Sequence, residues 1–285
     1  MKTYFITRFN ILDYEFKGFK LTQHNSLENY KALFFKEERI EFKVSTLLNV
    51  TLASVVNQND NNWMWHIYTS KYLPVKYLNN IKDVVKNHKQ INLFEIEDFN
   101  EFYKNITIYP YEKNYATVRL DDDDAICDNY VSLLSNYKEE NNKIISFPLG
   151  RKFEFVKGKI KVGETCNNPN IALGLAKIGG VIYNCGDHSS VQNRYEIIYD
   201  NTPNVYLLCC SEHCDTKRKL IVKIPLLIKL KSIVNNRLRL NGIEFVRLES
   251  LYKIRKLEDV KLDSIYMLFL NIIVKCFGYI IIKSK

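Results

Sequence analysis

Apolar residues recur along the first 210 residues with two different periods, and this pattern predicts the secondary structure. Short apolar runs bounded by polar residues are typical of buried strands. Such runs occur at residues 2–7, 63–69, 91–96 and 116–120. Apolar residues three or four positions apart predict helices instead. This spacing is found over 39–57, from Leu73 and Pro74 onward, and over 99–104.

The alternation continues through residues 125–210. Helices are predicted over 125–138 and over 169–177, where Gly179 and Gly180 end the second one. Strands are predicted at 143–148, 152–156, 181–184 and 205–209, and residues 11–37 show no clear period and predict a long loop. Alternating strands and helices predict an α/β fold with a doubly wound, mostly parallel sheet flanked by helices.

Charge divides the chain into two parts. Residues 216–285 hold 16 Lys and Arg against 5 Asp and Glu, although the whole chain carries only +9. We therefore predict a catalytic domain at 1–215 and a basic, amphipathic, helical region at 216–285. This region would either lie on a membrane surface or pack on the domain with its positive face solvated. Nucleic acid is a third partner, but no binding motif supports it.

The seven cysteines indicate the compartment. Their odd number and irregular spacing do not form a disulfide framework, and the N-terminus is too polar for a signal peptide. A reducing cytoplasm is therefore expected, with attachment to the inner face of the membrane if 216–285 binds lipid. The cysteines around 209–214 lack the paired spacing of a zinc site, and buried thiols explain them better.

Four consecutive aspartates, Asp121 to Asp124, follow the strand predicted at 116–120. Ligands of open α/β sheets bind beyond the carboxyl ends of the strands, where this run lies. If the strand geometry continues, Asp121 and Asp123 point one way and Asp122 and Asp124 the other. The run would then hold Mg²⁺ or Mn²⁺ against a diphosphate. The alternative is an acidic cap on the following helix.

Several stretches in sequence order resemble the bacterial rhamnosyltransferase family, which has the GT-A glycosyltransferase fold. They are T-R-F-N at 7–10, the R…T-L-x-S…Q…W…S…L-P pattern within 38–74, and V-R-L-D-D-D-D-A-I at 118–126. A weaker match, S-E-H-C-D-T-K-R at 211–218, has Asp215 where asparagine is expected. The resemblance covers roughly residues 1–218.

The resemblance implies a nucleotide-sugar-dependent glycosyltransferase acting in cell-surface polysaccharide assembly, with a glycan or lipid-linked acceptor. Mn²⁺ or Mg²⁺ would bind Asp121, Asp123, Asp124 and His213, with His188 as the second choice of histidine. The resemblance also implies a set of donor-binding residues, which shares Asp121 with the metal site. They are Thr7, Arg8, Asn10, Asp60, Ser70, Arg119, Asp121 and Asp122. Arg8 and Arg119 suit phosphate oxygens, although Arg119 also suits a salt bridge to the aspartates beside it.

An inverting transferase needs a base that deprotonates the acceptor hydroxyl. Asp187 is our first choice, with Glu164 and Glu196 behind it, and a turn-capping aspartate is the alternative role for Asp187. Two other classes of function remain open at this point. The aspartates also suit a metal-dependent phosphoryl-transfer enzyme or nuclease, and a non-enzymatic membrane-bound module would use them only structurally.

Overall fold

The structure is a computed structural model that describes residues 1–12, 26–156, 159–169 and 171–210, with the strand residues 221–222 and 280–281. Its strands are β1 (Lys2–Phe9), β2 (Trp63–Ser70), β3 (Ile91–Ile96), β4 (Tyr115–Arg119), β5 (Ala125–Ile126), β6 (Ile144–Ser146), β7 (Leu149–Val156), β8 (Lys159–Asn167), β9 (Ala176–Ile178), β10 (Ile197–Tyr199), β11 (Tyr206–Cys209), β12 (Ile221–Val222) and β13 (Ile280–Ile281).

Six α-helices lie within the described residues. They are α1 (Leu27–Phe34), α2 (Glu37–Thr46), α3 (Leu52–Val56), α4 (Val75–Val85), α5 (Phe99–Ile108) and α6 (Tyr130–Ser135). A π-helical segment, Leu47–Thr51, joins α2 directly to α3, and 3₁₀ turns occur at Ile182–Cys185 and Val191–Asn193. In this part of the chain, no helix combines the length and the apolar character needed to cross a membrane.

Most strands form one mixed sheet of seven, in the order β10-β6-β9-β4-β1-β2-β3. β1 is an inner strand that runs parallel to both of its neighbours, β2 and β4. β9 is antiparallel to β4 and to β6. The predicted α/β class, with a mostly parallel sheet flanked by helices, is confirmed.

Helices bury both faces of this sheet. Phe5 of β1 packs in one apolar cluster with Ile40 of α2 and Ile81 of α4. Its neighbour Ile6 points to the other face and packs in a second cluster with Phe102 of α5. Because successive strand residues alternate between faces, a strand covered on both sides must be apolar almost throughout. This explains why the middle of β1, Tyr4 to Ile6, and most of β2 are apolar.

A smaller second sheet, in the order β5-β11-β7-β8, was not predicted. β7 and β8 form an antiparallel hairpin, and β11 joins β7 in parallel and β5 in antiparallel orientation. The chain passes from the larger sheet to the smaller one between β4 and β5, so the four aspartates lie at this crossing.

Three predicted elements differ from the structure. The helix expected over 125–138 is reduced to α6, because Ala125–Ile126 pairs with β11. The helix expected over 169–177 is absent, since Gly174 has a φ of 70° and Ala176–Ile178 fills the gap between β4 and β6. The strand expected at 181–184 is the 3₁₀ turn Ile182–Cys185.

Other regions were missed by the sequence patterns or stay predictions. The period-free stretch 11–37 contains α1, whose first turn is capped by the Ser26 hydroxyl accepting from the Asn29 N–H. The domain boundary at 215 and the helical, basic region 216–285 lie outside the described residues, apart from β12 and β13. Among the described cysteines, Cys127, Cys166, Cys185, Cys209 and Cys210 are free thiols.

Candidate functional site

Residues 121–124 form a turn, called the acidic turn below, directly after β4. The Leu120 N–H donates to the Ile6 carbonyl at 3.2 Å, which fixes the start of the turn beside the carboxyl half of β1. The acidic turn therefore lies at the carboxyl edge of the larger sheet, as the sequence predicts. Ligands of open α/β sheets bind at this edge.

The side chains of the acidic turn do not alternate as predicted. Asp122 and Asp123 both contact the ammonium of Lys43 on α2, with Nζ 2.9 Å from Asp122 Oδ1 and 3.0 Å from Asp123 Oδ2. The strand ends at Arg119 and the chain turns, so the two-residue period no longer applies. All three side chains are at least nine-tenths buried, and the ion pair offsets the cost of burying the two carboxylates.

Asp124 ties the acidic turn to the smaller sheet. Its Oδ1 accepts from the Cys209 N–H at 2.7 Å, and its carbonyl accepts from the Thr51 hydroxyl at 2.8 Å. Burial, together with the nearby charges of Asp123 and Asp121, raises the pKa of Asp124 well above its ordinary value. This carboxyl group is therefore committed to holding β11 in place, and it is a weaker candidate for a metal ligand than the sequence predicts.

Asp121 is the exposed member of the acidic turn, with 36% of its side-chain surface accessible. Its Oδ1 lies 3.7 Å from Arg119 Nε. Burial raises the pKa of Asp121, but the positive charges of Arg119, Arg8 and Lys43 outweigh it, and the net shift is downward. Asp121 therefore stays ionised, and it is the partly exposed carboxylate of the acidic turn.

Two arginines stand beside Asp121 and stack on one ring. The guanidinium carbons of Arg8 and Arg119 lie 4.9 and 5.4 Å from the centre of the Tyr183 ring. Arg8 also lies 5.4 Å from the ring of Phe99. Nε of Arg119 is buried without a hydrogen-bond partner. Stacked guanidinium groups keep their N–H edges available for anions, so this pair suits a phosphate beside the acidic turn.

Asn10 lies one residue beyond β1 in the left-handed region, with a φ of 47°. Its Oδ1 accepts from Arg39 Nη1 at 2.7 Å, and Arg39 also bonds the Phe34 carbonyl. The Asn10 Nδ2 group is buried without a hydrogen-bond partner. Because arginine is only a donor, this contact fixes which way the amide points. The free amide group keeps Asn10 a candidate for donor binding.

Thr7 has a structural environment instead. Its hydroxyl donates to the Leu120 carbonyl at 2.8 Å and accepts from Trp65 Nε1 at 2.9 Å, and the residue is fully buried. Both bonds are made inside the sheet and position the start of the acidic turn. The structure thus gives Thr7 a supporting role, and its predicted contact with a nucleotide is not carried further.

Replacing Thr7 with valine is expected to lower the free energy of unfolding by about 2 kcal/mol, because two buried groups lose their partner. The affinity for the donor nucleotide should change less than threefold or so, because the hydroxyl does not face the site. Urea denaturation and nucleotide titration measure the two effects separately. A variant with normal stability and lost nucleotide binding would contradict the structural role.

Ser70 and Asp60 lie at opposite ends of β2. Ser70 is at the carboxyl end, near the acidic turn, but it is fully buried and its hydroxyl accepts from the Tyr72 N–H. Asp60 precedes β2 and accepts from the Asn62 N–H at 2.8 Å. Since β2 and β4 both run parallel to β1, Asp60 lies at the amino edge. The predicted contact of Asp60 with the donor stays a prediction, and the strand directions place Asp60 at the edge opposite the acidic turn.

Asp187 and His188 lie in the loop after the 3₁₀ turn that carries Tyr183. Asp187 Oδ1 accepts from the Ser189 N–H at 2.9 Å, and this bond lowers the pKa of Asp187. The positive charge of Arg119 lowers it further. The loop is therefore close enough to Arg119 for their charges to interact, and the Asp187 side chain is 68% exposed. Asp187 caps its turn and also remains a candidate base.

The remaining predicted residues do not join the site. Glu196 directly precedes β10, and its Oε1 lies 3.0 Å from Lys143 Nζ. β10 runs parallel to β6, and β6 has the same direction as β4, so Glu196 lies at the amino edge of the sheet, away from the acidic turn. Glu164 lies on β8, where only its backbone is described. His213 and Asp215 lie outside the described residues.

A divalent metal is implied by the family resemblance. Across the described ranges, no group of three or more His, Cys, Asp or Glu side chains could hold a metal alone. Mg²⁺ needs only one or two protein carboxylates when phosphate oxygens complete its shell. Lys43 shows that the acidic turn gathers two carboxylates around one cationic atom. Asp123 therefore already contacts a cation, and its predicted pairing with Asp121 around a metal that the donor diphosphate helps to hold stays a prediction.

Sequence patterns missed three residues of the site: Lys43, Tyr183 and Arg39. Lys43 had a detectable signal, because Ile40, Lys43, Val44 and Leu47 share one helical face and are all buried. A lysine among buried apolar positions indicates an acidic partner. Tyr183 and Arg39 carried no comparable signal, since their partners come from distant segments.

Comparisons with known proteins agree with the resemblance found in the sequence. A family model described as "Putative rhamnosyl transferase" matches residues 2–220. No curated protein matches the chain. Similar solved structures include residues 1–349 of S. aureus TarS with UDP-GlcNAc, at 11% identity and a TM-score of 0.43 over 73% of this chain and 58% of that one.

Two further structures are similar to the chain. The UDP complex of S. aureus TarS has 10% identity and a TM-score of 0.45 over 73% of this chain and 60% of that one. The 2-C-methyl-D-erythritol 4-phosphate cytidylyltransferase of Francisella tularensis has 13% identity and a TM-score of 0.35 over 82% and 99% of the two chains. The chain thus spans about three fifths of the TarS chains it matches.

Proposed function

This chain belongs to the rhamnosyl transferase family, and on that premise we propose that it transfers a sugar from a nucleotide-sugar donor to an acceptor hydroxyl. The proposal rests on one observation: a carboxylate and two guanidinium groups lie close together at one edge of the sheet. The ionised, exposed Asp121 stands beside Arg8 and Arg119, at the carboxyl ends of β1 and β4. A donor diphosphate is the ligand class that uses both kinds of charge.

Arg8 and Arg119 bind the diphosphate in this proposal. Breaking the bond between the sugar and the diphosphate places negative charge on the phosphate oxygens, and fixed cations beside them lower the barrier. Tyr183 holds both guanidinium groups in place by stacking. Nε of Arg119 makes no hydrogen bond and lies 3.7 Å from Asp121 Oδ1, so a phosphate oxygen would compete with Asp121 for this guanidinium group. Asn10 offers its free amide group to the same donor.

Asp121 and Asp123 would hold Mn²⁺ or Mg²⁺ together with the diphosphate. When bound, the metal neutralises charge on the leaving diphosphate. Asp124 supports the turn from behind through the Cys209 N–H. The family resemblance implies a histidine in this shell, and His188, which follows Asp187 in the loop, is the described candidate.

Asp187 is the proposed base of an inverting transfer. It is ionised at neutral pH, because the Ser189 N–H and Arg119 both lower its pKa. Its exposed carboxylate lies in the loop that also carries Tyr183, beside the proposed leaving-group site. In an inverting transfer the acceptor oxygen attacks the sugar from the face opposite the diphosphate, so the Asp187 carboxylate would take the proton of the acceptor hydroxyl on that opposite face.

The acceptor class rests on the family and on the charge of the chain. We propose a glycan or lipid-linked acceptor in cell-surface polysaccharide assembly. The excess of Lys and Arg in residues 216–285 supports contact with an anionic membrane surface on its cytoplasmic side. Donor sugar, nucleotide and linkage are the finer specificities that experiment must assign.

Thermal melting with Mn²⁺ and each of UDP, GDP, dTDP and CMP tests the proposed function. One nucleotide is expected to raise the melting temperature by several degrees when present at about 100 times its dissociation constant. The rise should require Mn²⁺ and should disappear in Arg8→Ala and Arg119→Ala. The matched control is Arg151→Ala, because Arg151 lies on β7 and bonds Asn204. No rise with any nucleotide would contradict donor binding.

A further inference from the structure

The continuous helical segment formed by α2, the π-helical residues and α3 contacts the acidic turn at two points. Lys43 of α2 contacts the carboxylates of Asp122 and Asp123, and the Thr51 hydroxyl donates to the carbonyl of Asp124 at 2.8 Å. Between these two residues the helix widens into the π-helical segment Leu47–Thr51. The two contacts therefore lie on either side of a local departure from α-helical geometry. Such π-helical turns often occur at functional sites.

The wider turn explains how both residues reach the acidic turn. In an unbroken α-helix, residues eight positions apart are rotated by about 80° around the axis. A π-helical turn contains more residues, so each one contributes a smaller rotation. The segment Leu47–Thr51 therefore brings Thr51 back toward the face that carries Lys43. Both residues are buried against the acidic turn.

Lys43 already supplies a cation to the part of the turn where a metal would bind. Its ammonium lies 3.0 Å from Asp123 Oδ2, and both side chains are at least 90% buried. Asp123 is one of the two carboxylates proposed to hold a divalent metal. A metal at Asp123 must therefore either displace the ammonium or bind close to it, and like charges repel strongly at low solvent exposure.

Two further positive charges in the site add to the repulsion of a divalent metal. Asp121 faces Arg119, and Arg8 lies beside Arg119 on the same tyrosine ring. Lys43, Arg8 and Arg119 thus place three positive charges around the three carboxylates of Asp121, Asp122 and Asp123. A diphosphate brings negative charge of its own, and it compensates an incoming divalent cation.

We propose that Lys43 is an internal counter-ion that competes with the divalent metal for Asp123, so that the metal binds together with the donor diphosphate. This inference rests on the proposed function for the identity of the donor. Lys43 acts as a positioning residue, because it holds Asp122 and Asp123 in place before the donor binds. The metal alone binds weakly, and the metal with a nucleoside diphosphate binds tightly.

Calorimetric titration of the full chain with Mn²⁺, with and without UDP or the nucleotide found by melting, tests the competition. The wild-type protein should bind Mn²⁺ at least about tenfold more tightly when the nucleotide is present. Lys43→Met removes the competing charge and should bind Mn²⁺ alone about tenfold more tightly than the wild type. Lys43→Arg keeps the charge and should resemble the wild type.

The double variant Lys43→Met with Asp122→Asn guards against misfolding. It removes one positive and one negative charge together, so the net charge of the acidic turn is unchanged and only Asp123 loses its ammonium partner. It should still bind Mn²⁺ alone more tightly than the wild type, because Asp123 no longer has a competing ammonium. Circular dichroism confirms that each variant is folded before its titration.

Two results would overturn the inference. One is equal Mn²⁺ affinity in the wild type and in the folded variants without Lys43. The other is wild-type Mn²⁺ affinity that does not change with nucleotide, although the nucleotide binds. A failure of the proposed function is distinguishable from both, because it appears as absent nucleotide binding in every variant, whatever the Mn²⁺ affinity.

Discussion

Replacing Asp121 with asparagine is expected to slow sugar transfer by about 100-fold or more. The amide has nearly the same shape, but it lacks the charge that holds the metal and balances Arg119. Asp121 is also the one carboxylate of the acidic turn with substantial exposure, at 36% of its side-chain surface. Its loss therefore affects the space where the donor binds more than the packing of the fold.

Stability should change little in the same variant. The contact between Asp121 and Arg119 is a partly exposed pair at 3.7 Å, and such pairs contribute about 1 kcal/mol or less. The assay measures release of the nucleoside diphosphate from the donor class that melting identifies. Asp60→Asn is the matched control, because it makes the same chemical change at the amino edge of the sheet. Equal rates for the two variants would refute the placement of the site.

Acidification is expected to destabilise the protein through His66, by up to about 3 kcal/mol between pH 6.5 and pH 4. His66 lies on β2, fully buried, with both ring nitrogens lacking a hydrogen-bond partner. The rings of Tyr4, Phe94 and Tyr109 surround it, with centres 5.4, 5.4 and 4.3 Å away. Burial lowers the pKa of His66 from 6.5 to about 4.

The direction of this pH effect follows from the different pKa of His66 in the unfolded and folded states. Below pH 6.5 the unfolded chain binds a proton at this histidine, while the folded protein does not until the pH approaches 4. The free energy of unfolding contributed by His66 is therefore complete above pH 6.5 and is lost as the pH falls toward 4. Urea denaturation across this range measures the loss.

His66→Phe separates this effect from the titration of carboxylates. Phenylalanine suits the aromatic surroundings and does not titrate. The difference in unfolding free energy between wild type and variant should therefore narrow, or turn in favour of the variant, as the pH falls from 6.5 to 4. Parallel curves for the two proteins would show that His66 does not determine the acid sensitivity.

The first half of the larger sheet and the position of the acidic turn could be predicted from the sequence. β1 to β4 contain short apolar stretches, and helices cover both faces of the sheet, so the local pattern already indicates buried strands. The rule that ligands bind at carboxyl strand ends then located the aspartates correctly. The same local reasoning failed at Ala176–Ile178, because strand pairing with β4 and β6 overrides its helical pattern.

The positions of individual site residues also depended partly on local pattern and partly on strand pairing. Arg8, Arg119 and Asp121 lie next to the strand ends that carry them, so their proximity follows from the parallel pairing of β1 and β4. Asp60 and Glu196 each precede a strand, and the directions of β2 and β10 in the sheet place both at the edge opposite the acidic turn. The hydrogen bonds of Thr7 could not be read from the sequence, because its partners Leu120 and Trp65 come from two other segments of the chain.

The sequence by itself determined the α/β class, the family, and a run of carboxylates at the end of a central strand. Only the tertiary structure decided what each carboxylate does. Lys43 reaches Asp122 across 79 positions of sequence, and Cys209 reaches Asp124 across 85. Such contacts depend on strand order, on the crossing between two sheets and on the rotation of one helix. Local periodicity carries none of this information, because it reports only which face of an element is buried.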